Sequence, residues 1–104
     1  GENVSASQVE GFVLGLFARG TLDAQAVVAQ RHAMLGEVPV LFAVRGPGCA
    51  LSEDEIRVAV LEGCTGLADF KRPRAVYFLD ELPKATLDKV AKNKLRELAD
   101  EISG

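Results

Sequence analysis

Between residues 9 and 17 the apolar side chains Val9, Phe12, Val13, Leu16 and Phe17 recur at i, i+3, i+4, i+7 and i+8, the spacing that gathers them on one stripe of a helix. The pattern predicts a helix over about residues 6 to 18, stopped by Gly20. Two overlapping capping boxes precede it, Ser5 with Gln8 and Ser7 with Glu10, either of which can satisfy the orphan amides of a first turn. The pattern then changes. AQAVVAQ (24–30) and VPVLFAV (38–44) are short, nearly continuous apolar runs rich in valine, as in strands covered on both faces or lying under helices. RHAMLGE connects them, and GPG at 46–48 ends the second.

A third capping box, Ser52 with Glu55, opens a helix that turns Ile56, Val60 and Cys64 inward and is ended by Gly63 and Gly66. AVYFL (75–79) reads as a third strand and DELPKATLDKV as a loop or short hairpin. From about residue 91, Ala91, Leu95, Leu98, Ala99 and Ile102 form another helical stripe. The order helix, strand, strand, helix, strand, helix predicts an α+β fold, a small sheet of about three strands packed with about three helices. No repeat or linker interrupts it. A chain of 104 residues, 48% hydrophobic, is long enough for one core and too short for two, so residues 1–104 are read as one domain.

Charge changes this picture in one place. A net charge of −3 argues against a dedicated nucleic-acid binder, which needs an excess of Lys and Arg. Yet Lys71, Arg72, Arg74, Lys84, Lys89, Lys92, Lys94 and Arg96 put 8 of the 12 basic residues within 26 positions. Such side chains, on loops at the ends of a strand and along the last helix, either form a solvated basic face or bind a phosphate, ribose or carboxylate through charge-assisted hydrogen bonds. Cys49 and Cys64 lie fifteen apart beside a single histidine, which supports neither a zinc site nor a disulfide framework and reads as two reduced core cysteines. No apolar run is long enough to span a membrane and no leader is visible, so a cytoplasmic location is expected. The chain has no phosphate-binding glycine loop, nucleophile triad or paired-carboxylate motif.

Four stretches nevertheless occur together in order. GENVSASQVE (1–10) resembles G-E-N-[IV]-x-P-x-E-V-E, and GEVP (36–39) resembles G-E-x-P. LADFKRPRAVYFLDELPK (67–84) resembles L-A-x-[YF]-K-x-P-x-x-[VI]-x-F-[VL]-D-x-[LI]-P-[KR], and KVAKNKLREL (89–98) resembles K-[IV]-x-[RK]-x-x-L-R. By these motifs the chain resembles the C-terminal domain of the AMP-forming acyl-CoA synthetases, relatives of luciferase and of nonribosomal peptide synthetase adenylation domains.

That resemblance implies a mobile lid that follows a large N-terminal domain holding ATP, Mg2+ and the carboxylic acid. The chain then begins just past the hinge. It implies a two-step reaction, in which the acid first joins the α-phosphate of ATP with release of pyrophosphate and the acyl group then passes from AMP to the thiol of CoA. The lid presents a different face to each step. In the first, the family uses a lysine six residues after the proline of L-P-[KR], which is Lys89 here. In the second, its G-E-N loop, here Gly1, Glu2 and Asn3, approaches the pantetheine, with an ordinary pre-helix loop as the alternative. Lys71, the lysine of the K-x-P segment, is the candidate for the CoA phosphates, and no residue is assigned to a metal. His32 reads as a turn or surface histidine.

The chain departs from the family where Leu87 and Asp88 replace a hydroxyl and a glycine ahead of Lys89, and where Ser5 and Ala6 replace an aromatic and a proline. Three functions stay open: a CoA ligase lid inactive by itself, the lid of an adenylation domain that loads carrier-protein pantetheine or stops at the adenylate, and a non-catalytic module that binds a partner protein. The acid itself is selected by the N-terminal domain and is not written in this chain.

Overall fold

In a computed structural model, which describes residues 6–86 and 89–103, the chain forms three layers. Helix α1 (Ala6–Leu14) is followed by strands β1 (Leu22–His32) and β2 (Gly36–Arg45), helix α2 (Glu53–Gly63), two 3-10 turns (Cys64–Gly66 and Asp69–Lys71), strand β3 (Val76–Phe78), strands β4 (Lys84–Thr86) and β5 (Lys89–Val90), and helix α3 (Lys92–Ser103). The main sheet has the order β1-β2-β3, with β1 antiparallel and β3 parallel to β2. β4 and β5 pair only with each other, so the loop or hairpin expected there is a hairpin.

The apolar runs are covered on both faces, as their continuity predicts. Val27, Leu41, Ala43 and Val76 point to one side and pack against Val9 and Val13 of α1 and Ile56 and Val60 of α2. Ala26, Val28, Val40 and Phe42 point to the other, against Leu95 and Ala99 of α3 and against Leu82. Alternation along a pleated strand makes this division automatic, since neighbouring side chains leave on opposite faces. Pro39 is tolerated in the central strand because its ring nitrogen takes the side on which Leu41 N–H donates to Ala75 O (2.9 Å), at a level before β3 begins. There the Pro39 carbonyl accepts from Arg74 N (2.8 Å).

Several boundaries differ from the sequence reading. α1 stops at Leu14, and Leu16 N and Phe17 N donate three residues back, to Val13 O and Leu14 O. The tightened end brings Leu16 against Gly63, where an added Cβ would sit 3.0 Å from both Leu16 methyls, and Gly66 leaves the same room for the Phe12 ring. Those two glycines therefore serve packing as well as stopping α2. The strands reach further into RHAMLGE than the apolar runs do, pairing Arg31 with Glu37 and His32 with Gly36. The turn is only Ala33–Leu35, closed by Gly36 at φ +84°, the left-handed residue a three-residue hairpin loop needs. His32 is a turn histidine: its Nδ1 accepts from Met34 N (3.2 Å) and Leu35 N (3.0 Å). Ile102, placed on the α3 stripe, is exposed.

β1 is an edge strand, and its outward amides are answered by acids from two helices. Val27 N donates to Glu10 Oε2 of α1 (2.7 Å) and Arg31 N to Asp100 Oδ1 of α3 (3.1 Å). An edge covered in this way offers little for a foreign strand to pair with.

Candidate functional site

Lys89 opens β5, a two-residue strand whose partner residue is Thr86, and is exposed. The hairpin that carries it forms no ladder with the main sheet. It is anchored at its base, where Ala91 N donates to Pro83 O (2.8 Å) and the buried Leu82 and Ala91 enter the core beside α3. Lys92 follows at once as the first residue of α3, and its ammonium donates to Glu10 Oε2 at 2.9 Å. The Leu87 and Asp88 departures lie outside the described residues.

Lys71 ends the second 3-10 turn, where its Nζ donates to Gln8 Oε1 at 3.0 Å. Gly1, Glu2 and Asn3 lie outside the described residues, but the helix that follows them is the one Lys71 reaches. The structure thus brings Lys71 to the start of α1 and joins Lys89's neighbour Lys92 to the middle of the same helix. No direct contact joins Lys71 to Lys89 in the hydrogen bonds described. Gln8 and Glu10 are two residues apart, which on a helix turns them roughly 200° from each other.

The basic cluster is not one open face. Arg72 binds Leu67 O, Thr65 O and the Asp69 carboxylate, Lys92 pairs with Glu10, and Arg96 with Glu37. Arg74, Lys84, Lys89 and Lys94 remain exposed. The Ser7–Glu10 capping box is also overturned: Ser7 lies inside α1, and the Glu10 carboxylate is taken by Val27 N and Lys92. Its main-chain oxygen accepts from Gln25 Nε2 (2.7 Å) as well. Ser5, the other proposed cap, lies outside the described residues.

The two cysteines are free, Cys64 buried in the core and Cys49 half-buried with its thiol toward Leu51 O (3.4 Å). Burial pushes the Cys64 thiol pKa up, and the nearby Arg72 charge offsets part of that rise. Among the described residues no group of three or more His, Cys, Asp or Glu side chains is arranged to hold a metal ion.

Residues 23–89 match the family described as AMP-binding enzyme C-terminal domain. The chain belongs to that family. This AMP-binding C-terminal domain is 36% identical over 95% of its length to trans-cinnamate:CoA ligase, peroxisomal, of Petunia hybrida, and 35% identical over 93% to 4-chlorobenzoate--CoA ligase of Pseudomonas sp. strain CBS-3. It covers only 16% and 17% of those two proteins. Among solved structures it superimposes on apo MatB from Rhodopseudomonas palustris with a TM-score of 0.81 at 34% identity, covering 100% of this chain and 20% of that one. The anthranilate CoA ligase AuaEII in complex with anthranoyl-AMP gives 0.78 at 30% identity, covering 96% and 19%. The α+β fold is thus that of the C-terminal domains of adenylate-forming ligases. Among the described residues no helix is long and apolar enough to cross a membrane. Since the cinnamate ligase is peroxisomal by name, the cytoplasmic expectation rests on the sequence alone.

Proposed function

We propose that this domain is the lid of an AMP-forming carboxylate:CoA ligase and works in both halves of its reaction. In the first half a carboxylate oxygen attacks the α-phosphorus of ATP and pyrophosphate leaves. In the second the sulfur of CoA attacks the acyl carbonyl and AMP leaves. Lys89 is the catalytic residue of the first step: a long ammonium on an exposed hairpin reaches out of the lid and offsets the repulsion between two anions brought into contact. Gly1, Glu2 and Asn3, with Lys71, serve the second step on the pantetheine and phosphate side.

The observation that carries this reading is the arrangement about α1. Lys71 attaches to it at Gln8, and Lys92, three residues after Lys89, attaches to it at Glu10, two positions about 200° apart around a helix, which agrees with a lid that has one face for each step. The relatives named as CoA ligases favour free CoA over a carrier-protein thiol as acceptor. ATP, Mg2+ and the acid belong on this reading to an N-terminal domain, the partner against which the lid turns.

The test is a pair of assays on the full-length ligase with Lys89→Ala. Pyrophosphate release from acid plus ATP is expected to fall about 10²- to 10³-fold, the loss typical of one preorganised charge contact. Thioester formation from synthetic acyl adenylate plus CoA is expected to stay near normal, because it uses the other face. The 104-residue chain by itself, run alongside, is expected to release no pyrophosphate. Equal damage to both halves, or damage to neither, would overturn the role of Lys89.

A further inference from the structure

Helix α3 begins against the ordinary electrostatic rule. The amino end of a helix carries partial positive charge and favours acids, yet the first turn of α3 has no acidic residue and holds Lys92 and Lys94. The residue before it is Ala91, which has no side chain able to cap an amide. Two cations at a positive helix end oppose the helix unless something outside it compensates. Glu10 does: its carboxylate, with the side chain only 22% exposed, meets the Lys92 ammonium at 2.9 Å. The same oxygen accepts from Val27 N at 2.7 Å.

One carboxylate therefore joins three elements: α1, the outer edge of β1 and the start of α3. Gln25 reinforces the first pair, since its Nε2 donates to the Glu10 main-chain oxygen at 2.7 Å. Lys92 lies three residues after Lys89, across a β5 strand with no partner in the main sheet. The hairpin is held to the core by Leu82, the half-buried Val90, Ala91 and this ion pair. A local rule broken and answered at one contact next to an exposed functional side chain is where a positional constraint is to be sought.

We infer that Glu10 is a positioning residue for Lys89: through the Lys92 ammonium it fixes the start of α3, and with it the direction in which the β4–β5 hairpin presents the Lys89 side chain. The inference rests on the reading of Lys89 as the catalytic residue of adenylate formation. A structural contact with no bearing on Lys89 would affect both half-reactions alike through folding. A positioning contact affects the first alone, since geometry errors of an ångström are enough to slow a step that depends on placement.

The experiment uses the full-length ligase with Glu10→Gln, which keeps an acceptor for Val27 N and removes the charge, with Lys92→Ala, which acts from the other side if Glu10→Gln folds poorly, and with Lys92→Arg as the conservative variant. Adenylate formation is expected to slow about tenfold in kcat for Glu10→Gln and Lys92→Ala, with KM for ATP and acid unchanged, and to recover in Lys92→Arg. Thioester formation from preformed acyl adenylate is expected to stay near normal. In a Lys89→Ala background Glu10→Gln is expected to add nothing, because there is no ammonium left to aim. Amide exchange at Ala91, whose N–H holds Pro83 O, is expected to quicken in Glu10→Gln. If Lys89→Ala abolishes adenylation while Glu10→Gln and Lys92→Ala leave it untouched, the positioning role falls and the reading of Lys89 stands. Equal loss in both half-reactions, or an additive effect in the Lys89→Ala background, overturns the positioning role too. If Lys89→Ala itself changes nothing, the reading of Lys89 falls and takes this inference with it.

Discussion

The domain contains two hairpins built on opposite terms. β1–β2 pairs ten residue couples, nine of them in one register from Ala24–Val44 to His32–Gly36, and residues 26–28 and 38–44 are buried within it. β4–β5 pairs two couples, leaves Lys84, Ala85 and Lys89 exposed, and joins the core only at its base. The first is held by apolar area on two faces, the second by a buried leucine and alanine, a half-buried valine, one backbone hydrogen bond and an ion pair. Burial fixes shape and removes side chains from reach. On the proposed role of Lys89, a lysine that extends to a substrate held elsewhere belongs on the second kind of hairpin, and precision there has to come from a few contacts at its root.

The sharpest way to break the comparison is to remove weight from the first hairpin. Phe42 is fully buried, and its ring lies 5.3 Å from that of Tyr77, tilted by 46°. Phe42→Ala is expected to cost about 3–5 kcal/mol, for lost transfer energy and the cavity left behind. The measure is the urea midpoint at constant m-value. Against it, Lys89→Ala is expected to leave the midpoint nearly unchanged, as an exposed side chain on a two-residue strand contributes little to a core.

The contrast also explains what was legible in the sequence. Continuous apolar runs announced β1 and β2, and helical stripes announced α1 and α3, because burial imposes periodicity. Ser52 and Glu55 announced the start of α2 because a capping box is local: Glu55 N donates to Ser52 Oγ (3.1 Å) and Ser52 N to Glu55 Oε1 (3.0 Å). The same four-residue pattern at Ser7 and Glu10 misled, since the true partners of Glu10 lie 17 and 82 positions away. Buried Gln30 is another such case, donating to Tyr77 Oη (3.0 Å) and Ala99 O (2.6 Å) across two elements. Nothing in the neighbourhood of a polar residue reveals a partner of that kind. Lys71 and Lys89 were reached by family resemblance, and the contact that ties Lys92 to Glu10 was not.

A smaller effect is expected where the two ways of holding structure meet, at the exposed cap of a helix with one buried face. Ser52→Ala removes the acceptor of the Glu55 N–H and leaves only the residue-52 N–H donating to Glu55 Oε1, and is expected to cost about 1 kcal/mol. The loss is expected in the melting of the whole domain and not in either half-reaction, because α2 packs on the face of the sheet away from α3. A selective loss of adenylation in Ser52→Ala would show that α2 also steers the β4–β5 hairpin, and the division drawn between the two regions would fail.

The smallest effect near neutral pH is expected from Cys64, and it separates the regions by chemistry. Its thiol is buried in the cluster under α1 and α2, and burial holds its pKa above the ordinary value, against a partial opposing pull from Arg72. A thiol whose pKa is higher folded than unfolded keeps its full stabilising effect below the unfolded value, about 8.5, and loses it as pH rises through the folded one. In that window the unfolded chain releases the proton and the folded domain retains it, so stability falls with pH by up to about 1.4 kcal/mol per unit. Cys64→Ala is expected to be less stable than wild type at pH 7, for the sulfur it removes, but to show a shallower decline between pH 8 and 10. The comparison is therefore one of slopes, taken from urea midpoints across that range with Cys49 left in place in both proteins. Parallel slopes would mean that the buried thiol is not the group whose ionisation loosens the core. A shallower slope in Cys64→Ala would put the alkaline weakness of this domain in its best-packed region and leave the Lys89 hairpin outside it.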